Sequence, residues 1–394
     1  MKKLKVLILV FVAFACAEKQ PEGIIVTIKN TLDFDRSFET IEIKKTQLAS
    51  LKTNNFKVLE TETNAEIVSQ AVDYDKDGIN DVLLFQPEIS ANSEKTFKII
   101  GINTEKKQDS SVLKCYSRFV PERTDDYAWE NNRVAFRTYG PKAQKMQEEG
   151  IKGGTLSSGI DAWLKRVEYP IINKWYKKNT DGTGSYHEDT GEGLDNFHVG
   201  VSRGIGGIAV HADSVYMVSK NFVSFKNITN GPIRTAFILN YAPYKINGID
   251  VKETKYISLD YGQNLSRYTI NISGTDHISA GITLHNKDGE TTTNKENRFM
   301  SYWEPYFDSE LGQGIVVQNK NVLLSFDEYI TEEKDKSNLY AQLKVSDNLV
   351  DYYAGFGWKK AGQFTNKEAW NNYLSRFSKC LDTPLKIKFI NSAK

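Results

Sequence analysis

The chain has 394 residues, of which 40% are hydrophobic, 26% are charged and 12% are aromatic, and its formal net charge is +1. A chain of this length can bury a sizeable core and form two domains or one large β architecture. The nearly balanced charge argues against nucleic acid as a partner, because phosphate binding requires a clustered basic surface.

The first residues have the pattern of an export signal. Lysines at positions 2, 3 and 5 surround the start of an apolar run over residues 4–14, which is too short to span a membrane. Ala13-Phe14-Ala15 fits the small-x-small rule for signal cleavage, and Cys16 is typical of the lipid acceptor of a bacterial lipoprotein. We therefore predict a signal peptide over residues 1–15, lipidation at Cys16 and a polar tether over residues 16–22. The expected location is the periplasm or the outer membrane of a Gram-negative bacterium, with the lipid as the only membrane contact; a soluble periplasmic form stays open.

Residues 23–103 are predicted to form a small β-sandwich module. Short alternating runs separated by polar turns indicate strands; they are Ile24–Ile28, Phe38–Ile43, Asp81–Phe85 and Thr96–Ile100. A lysine- and serine-rich stretch over residues 104–111 is typical of a linker.

One turn of this module has carboxylates at the spacing of a calcium loop. They occupy positions 1, 3, 5 and 9, with glycine at position 6, although the position-12 glutamate of an EF-hand is absent. This pattern predicts a structural Ca²⁺, and a simple acidic hairpin turn is the alternative. The ligands would be Asp73, Asp75, Asp77 and Asp81, with the carbonyl of Ile79. We expect no cofactor for catalysis.

Residues 112–394 are predicted to form a large antiparallel β-sandwich. Strand patterns recur at Ser214–Val218, Thr235–Tyr241, Leu265–Ile272, Ile278–Leu284 and Leu339–Val345. A capping box starting at Thr365 predicts a late helix, and a last strand follows over residues 385–390. The expected fold is therefore mainly β: a small N-terminal sandwich, then a large supersandwich-like β-sandwich with a few helices. A disulfide between Cys115 and Cys380 stays open.

Two stretches supply candidate charges for binding an anion. The run Trp129–Pro141 is predicted as one strand, on which Arg133 and Arg137 share a face and could clamp a carboxylate or sulfate. Gly159–Val167 has apolar residues at helical spacing, which predicts a helix carrying Lys165. Pairing of these cations with neighbouring carboxylates is the alternative in both stretches.

The stretch Ser185–Gly207 concentrates the titratable residues. It holds two of the five histidines of the chain among four carboxylates and repeated glycines. Histidine, tyrosine and carboxylates can transfer protons or orient a base, and glycine lets the backbone approach a ligand. A polar, glycine-rich loop without chemistry is the alternative.

Several stretches together resemble a family of exported bacterial proteins, the domain-of-unknown-function family 4861. They are Asp33–Arg36, Thr40–Ile43, Asp73–Gln86, Trp129–Pro141, Asp161–Arg166, Tyr186–Asp195, Ser219–Phe222 and Gly231–Thr235. The resemblance spans nearly the whole exported chain. It implies a role in polysaccharide utilisation, and one implied activity is dehydration of a terminal uronic-acid residue of an oligosaccharide, as in ulvan breakdown.

The residues and the resemblance together lead to a hypothesis: an eliminase that removes water from an acidic oligosaccharide. Cations must neutralise the substrate carboxylate while a base removes the neighbouring proton. Adjacent residues on an extended chain point apart, which favours His187 over Tyr186 as base or acid unless a turn intervenes. The predicted catalytic residues are His187, Tyr186, Lys165 and Arg137. The predicted substrate-binding residues are Arg133, Trp163, Glu192 and Asp195.

Two other classes of function stay open. A glycoside hydrolase would need two carboxylates across a cleft, and Glu188, Glu192 and Asp195 are available. A non-catalytic glycan-binding lipoprotein would stack sugars on aromatic faces. The tryptophans considered for that role are Trp129, Trp163, Trp175 and Trp303.

Overall fold

The computed structural model describes residues 23–102 and 113–390. The predicted signal peptide, the lipidation site Cys16, the tether and the linker over residues 104–111 lie outside these residues. In the part of the chain that is described, no helix has the length and apolar character needed to span a membrane.

The N-terminal strands form two sheets that pack face to face. The strands are β1 (Gly23–Lys29), β2 (Ile41–Lys44), β3 (Phe56–Glu60), β4 (Glu66–Ile67), β5 (Ser69–Val72), β6 (Val82–Phe85) and β7 (Glu94–Gly101). Val26 and Ile28 of β1, Ile43 of β2 and Phe85 of β6 are buried in one apolar cluster between the sheets. Alternate residues of β1, β2, β6 and β7 face this cluster, because successive side chains of a strand point to opposite faces of the sheet.

A second group of short strands follows. They are β8 (Tyr116–Val120), β9 (Asp126–Glu130), β10 (Ala135–Thr138), β11 (Asp161–Lys165) and β12 (Gly193–Leu194), hydrogen-bonded in the order β12-β11-β10-β9-β8. Helices α1 (Pro141–Glu148) and α2 (Ile172–Thr180) lie in the connections on either side of β11.

The remaining strands build a large sandwich. They are β13 (Ile205–Ala212), β14 (Val215–Met217), β15 (Phe222–Thr229), β16 (Arg234–Tyr241), β17 (Tyr244–Ile246), β18 (Ile249–Asp260), β19 (Leu265–Ser273), β20 (His277–Thr283), β21 (Glu290–Asn294), β22 (Phe299–Tyr306), β23 (Ser309–Val317), β24 (Leu323–Tyr329), β25 (Asn338–Lys344) and β26 (Leu349–Trp358), whereas the last strand, β27 (Lys386–Ile390), lies outside both sheets of this sandwich. A sheet ordered β14-β13-β20-β25-β24 faces a nine-stranded antiparallel sheet. Their facing side chains, such as Ile208, Ile282, Tyr268 and Ala354, share one buried cluster. The predicted mainly β fold is confirmed.

Helix α3 (Lys367–Asp382) packs on the outside of the nine-stranded sheet through Trp370 and Leu374. The predicted capping residue was wrong by one position. Asn366, not Thr365, is the N-cap, and its side chain accepts a hydrogen bond from the backbone N–H of Ala369.

The last strand, β27, pairs antiparallel with β1 and so completes the N-terminal five-stranded sheet, β27-β1-β7-β3-β4. It extends the N-terminal sandwich beyond the predicted range of residues 23–103, because the strand comes from the other end of the chain. Val72 and Leu84 also share a buried cluster with Ile228, Ile233 and Ala236 of the large sandwich.

Two local predictions were wrong. The segment predicted as a helix over Gly159–Val167 contains strand β11, buried on both faces. Ala162 and Leu164 face the main core, while Trp163 faces a second cluster beneath α2. The run Trp129–Pro141 is not one strand but the end of β9, a turn and β10, so Arg133 lies in the turn and does not share a strand face with Arg137.

Candidate active site

Arg137 is buried at the centre of a carboxylate cluster. Its Nη2 atom lies 2.6 Å from Asp161 Oδ2 and 2.8 Å from Asp195 Oδ2, and its Nη1 atom lies 3.6 Å from Asp126 Oδ2. Burial, with the nearby Asp195 charge, raises the pKa of Asp161 to about 7, and burial raises the pKa of Asp195 to about 6. These internal contacts occupy the guanidinium, which argues against its predicted role in binding a substrate carboxylate.

Lys165 is also fully buried. Its Nζ atom donates to Glu130 Oε2, to the carbonyl of Asn131 and to the carbonyl of Tyr169, each at 2.9 Å. An ammonium group has three donors, and all three have partners inside the protein. The predicted catalytic role of Lys165 therefore does not fit the structure, and the ion pair with Glu130 agrees with the alternative, that this lysine pairs with a carboxylate.

The predicted substrate contacts do not converge on one open surface. Trp163 is fully buried and packs against Trp175. Glu192 accepts hydrogen bonds from Tyr169, Lys174 and Trp175.

Arg133 contacts Asn264 and the Phe38 ring, and it lines a cavity that contains none of the other predicted site residues. The four tryptophans considered as sugar platforms are at most 7% exposed, so none offers an open face.

Tyr186 and His187 occupy a turn, and their ring centroids lie 4.5 Å apart. The Tyr186 ring is buried, and its hydroxyl oxygen accepts a hydrogen bond from Arg123 Nε at 2.9 Å. The His187 side chain is 58% exposed, and its Nδ1 lies 2.5 Å from the carbonyl oxygen of Asp195. The structure thus separates a buried phenol from an accessible imidazole.

The backbone of residues 195–198, which we call the anchoring segment, holds three proton-transfer side chains. Asp195 accepts from His187 as described, and the Asn196 carbonyl accepts from the Tyr306 hydroxyl at 2.8 Å. The carbonyl of His198 lies 3.1 Å from His285 Nε2. Three of the five histidines therefore meet at this segment.

A cleft of about 320 Å³ opens beside the anchoring segment. Its lining includes Asn196, His198, His285, Lys287, Tyr306, Lys334 and Asp335. The His198 side chain is 61% exposed, and its Nε2 lies 3.0 Å from Asp335 Oδ2. Its Nδ1 has no partner among residues 23–102 and 113–390.

Sequence reasoning missed His285 and Tyr306. His285 lies two residues beyond the end of the largely buried strand β20, and Tyr306 ends β22, so each polar group lies where a buried strand stops. That position was a usable signal for a site at a sheet edge.

A buried contact between His285 and Glu304 lies behind the lining of the cleft. His285 Nδ1 lies 2.7 Å from Glu304 Oε1, and Glu304 is fully buried. Burial raises the pKa of Glu304, although its contacts with His285 and Gln313 oppose this shift. Burial, with the Glu304, Asp161 and Asp195 charges, raises the pKa of Tyr306, so this phenol stays protonated at neutral pH.

The predicted calcium loop is present as a tight turn. Carboxylate oxygens of Asp73, Asp75 and Asp81 lie within 4.8 Å of one another, whereas the Asp77 carboxylate is not part of that group and accepts a hydrogen bond from the Ile79 N–H. Asp73 accepts hydrogen bonds from the loop's own backbone N–H groups. Calcium binding stays a prediction. Cys115 and Cys380 are both free thiols, so the open disulfide does not form.

The model of the family described as Domain of unknown function (DUF4861) matches residues 28–387, and the chain therefore belongs to that family. This confirms the family expected from the sequence. An uncharacterized protein P7 of Formosa agariphila is 54% identical over 391 residues, which cover 97% of this chain and 98% of that protein.

Two solved structures match most of the length of this chain. A protein in the glycosyl hydrolase family 38 from Enterococcus faecalis matches 94% of this chain with a TM-score of 0.50 and 11% identity. An alpha-mannosidase from Enterococcus faecalis matches 94% of the chain with a TM-score of 0.43 and 10% identity. The chain spans about half the length of these two proteins, 48% and 46%. At this identity the first likeness shows the fold alone.

Proposed function

We propose that this protein is a carbon–oxygen lyase that removes water from a terminal uronic-acid residue of an acidic oligosaccharide, in the cleft beside the anchoring segment. The observation that carries the proposal is that an accessible imidazole, His198, and a protonated phenol, Tyr306, line the same cleft. Elimination needs one group to take a proton and another to give one.

His198 is the base in this proposal. The Asp335 carboxylate holds Nε2 at 3.0 Å, which orients the ring and stabilises the imidazolium that forms, while Nδ1 is free to accept a proton. His187 has a comparable geometry, with Nδ1 held by a carbonyl, but it is not among the residues that line the cleft.

Tyr306 is the acid. As His198 takes the C5 proton, the C4–oxygen bond breaks, a C4–C5 double bond forms, and the phenol gives its proton to the departing hydroxyl to make water. The raised pKa of Tyr306 keeps the phenol protonated at neutral pH. The His285–Glu304 pair packs behind the phenol, with the His285 and Tyr306 ring centroids 5.1 Å apart, and holds it in place.

Two lysines at the cleft supply positive charge for the substrate carboxylate. Lys287 lies 3.9 Å from Glu332, and Lys334 has no carboxylate within 4.0 Å in the described part of the chain. Of the other acidic lining groups, Glu333 pairs with Lys336 and Asp335 pairs with His198. Lys334 is therefore the cation that is most available to an anionic ligand.

The test uses uronic-acid oligosaccharides of ulvan, alginate and glycosaminoglycan types, with product masses and ultraviolet absorbance as readouts. Loss of one water with a new conjugated double bond and no chain shortening supports the proposal. Shortening without a double bond would indicate a glycoside hydrolase instead. Unchanged masses with measurable binding would indicate a glycan-binding protein.

A further inference from the structure

A second and larger cavity, of about 660 Å³, lies where the N-terminal sandwich, the nine-stranded sheet and α3 meet. It shares no lining residue with the cleft at the anchoring segment. Its volume falls within the range of small-molecule sites in proteins. Five arginines line it: Arg36, Arg133, Arg234, Arg267 and Arg376.

Three of these arginines are neutralised by neighbouring carboxylates. Arg36 pairs with Glu39, Arg267 with Asp351, and Arg234 with both Glu42 and Asp260. These pairs account for three of the four carboxylates that line the cavity and leave Asp35.

The other two arginines have no carboxylate within 4.0 Å in the described part of the chain. Arg133 gives one N–H to Asn264 Oδ1 at 3.2 Å, and its guanidinium lies 5.1 Å from the Phe38 ring centroid. Arg376 lies 4.2 Å from the Phe34 ring centroid. Stacking on a ring face fixes a guanidinium plane while its N–H edge stays free to bind an anion.

We propose that this cavity binds a small organic anion, which Arg133 and Arg376 hold through a carboxylate or sulfate group. A guanidinium fork matches both oxyanions bidentately. The proposal does not depend on the function of the cleft, since the two share no residues.

The test is calorimetric titration of the full chain with glucuronate and, separately, with inorganic sulfate. We expect Arg376→Met and Arg133→Met each to weaken binding at least about tenfold, because each removes a charge-assisted contact. Arg376→Lys keeps the charge but loses the fork, and we expect it to bind more tightly than Arg376→Met. Lys379→Met is the matched control, because Lys379 is an exposed cation on the same helix and does not line the cavity.

Glucuronate binding with this pattern of variants identifies a carboxylate site, and sulfate binding with the same pattern identifies a sulfate site. The proposal is overturned if the wild type binds neither anion, or if the Arg376→Met protein binds as well as the Lys379→Met protein. Arg376 is exposed, so its variants test the site even if Arg133→Met fails to fold.

Discussion

Three buried carboxylates, Asp126, Asp161 and Asp195, surround the guanidinium of Arg137, and Arg123 is the other cation that acts on this group. Three negative charges against two positive ones leave an excess that is costly in a buried site. Burial, with the charges of the neighbouring carboxylates, raises the pKa of Asp126 to about 6 and that of Asp161 to about 7, because binding a proton relieves this excess. The cluster therefore changes charge near neutral pH.

The first prediction concerns the pH dependence of stability. Because the pKa of Asp161 is higher in the folded chain than its ordinary value, the folded state binds the proton more tightly than the unfolded state. This contribution to stability is present at low pH and is lost as pH rises through about 7. Asp161→Asn should therefore lose less unfolding free energy than the wild type between about pH 5 and about pH 8 in urea titrations.

The exposed Asp181→Asn variant is the control and should keep the wild-type slope. An Asp161→Asn protein with the same pH slope as the wild type would contradict the raised pKa of Asp161.

The second prediction concerns Lys165. Its removal leaves Glu130 buried without a countercharge, so Lys165→Met should lower the unfolding free energy by about 3–5 kcal/mol. The double variant Lys165→Met/Glu130→Gln should recover part of that loss. The exposed Lys152→Met should be neutral. A Lys165→Met protein as stable as the wild type would show that the buried pair contributes little.

At the scale of elements, strand β11 was hard to predict from the sequence because it is buried on both faces and so lacks the usual alternation of apolar and polar residues. Its charged and aromatic residues, Asp161, Trp163 and Lys165, alternate with Ala162 and Leu164. The apolar residues at 160, 163, 164 and 167 also fit a helical period, and that period led to the wrong prediction. The deciding contacts are distant in sequence, because β11 pairs with β10 and β12.

The third prediction concerns β27, which forms the outer edge of the N-terminal sheet. Truncation after Pro384 removes β27 and the buried Leu385, and it leaves the hydrogen-bonding edge of β1 without a partner. We expect a lower Tm by several degrees in thermal unfolding. Truncation after Ile390 retains the strand and should leave Tm unchanged. Equal Tm values for the two truncated chains would mean that the pairing does not stabilise the module.

At the scale of the whole molecule, local patterns predicted the β fold and the stretch that carries the anchoring segment. Strands such as β1 and β19 follow from alternation over a few residues, which the sequence displays directly. The side chains that bind the anchoring segment cannot be predicted from such local patterns. Tyr306 is 110 residues from Asn196, and His285 is 87 residues from His198. Buried cations such as Lys165 also look like surface cations in a sequence, because their partners are set by sheet pairing.

The whole-molecule arrangement also keeps the two cavities apart, so their functions can be tested separately. A substitution in the cavity lined by the five arginines should leave the dehydration activity of the cleft unchanged, because Arg376 is not among the residues that line the cleft. Arg376→Met is thus a useful companion to variants of His198 and Tyr306.

The measurement that tests the central claim most directly is the mass of a uronic-acid oligosaccharide after incubation with wild type, His198→Ala and Tyr306→Phe. The wild type should remove one water and create the absorbing double bond. Each variant should be slower by a factor on the order of 10²–10⁴, the usual contribution of a general acid or base. His211→Ala, which removes an exposed histidine outside the cleft, should retain wild-type activity, as should Arg376→Met. Full dehydration by His198→Ala would contradict the assignment of this cleft as the active site, as would a further variant, His187→Ala, that alone loses the activity.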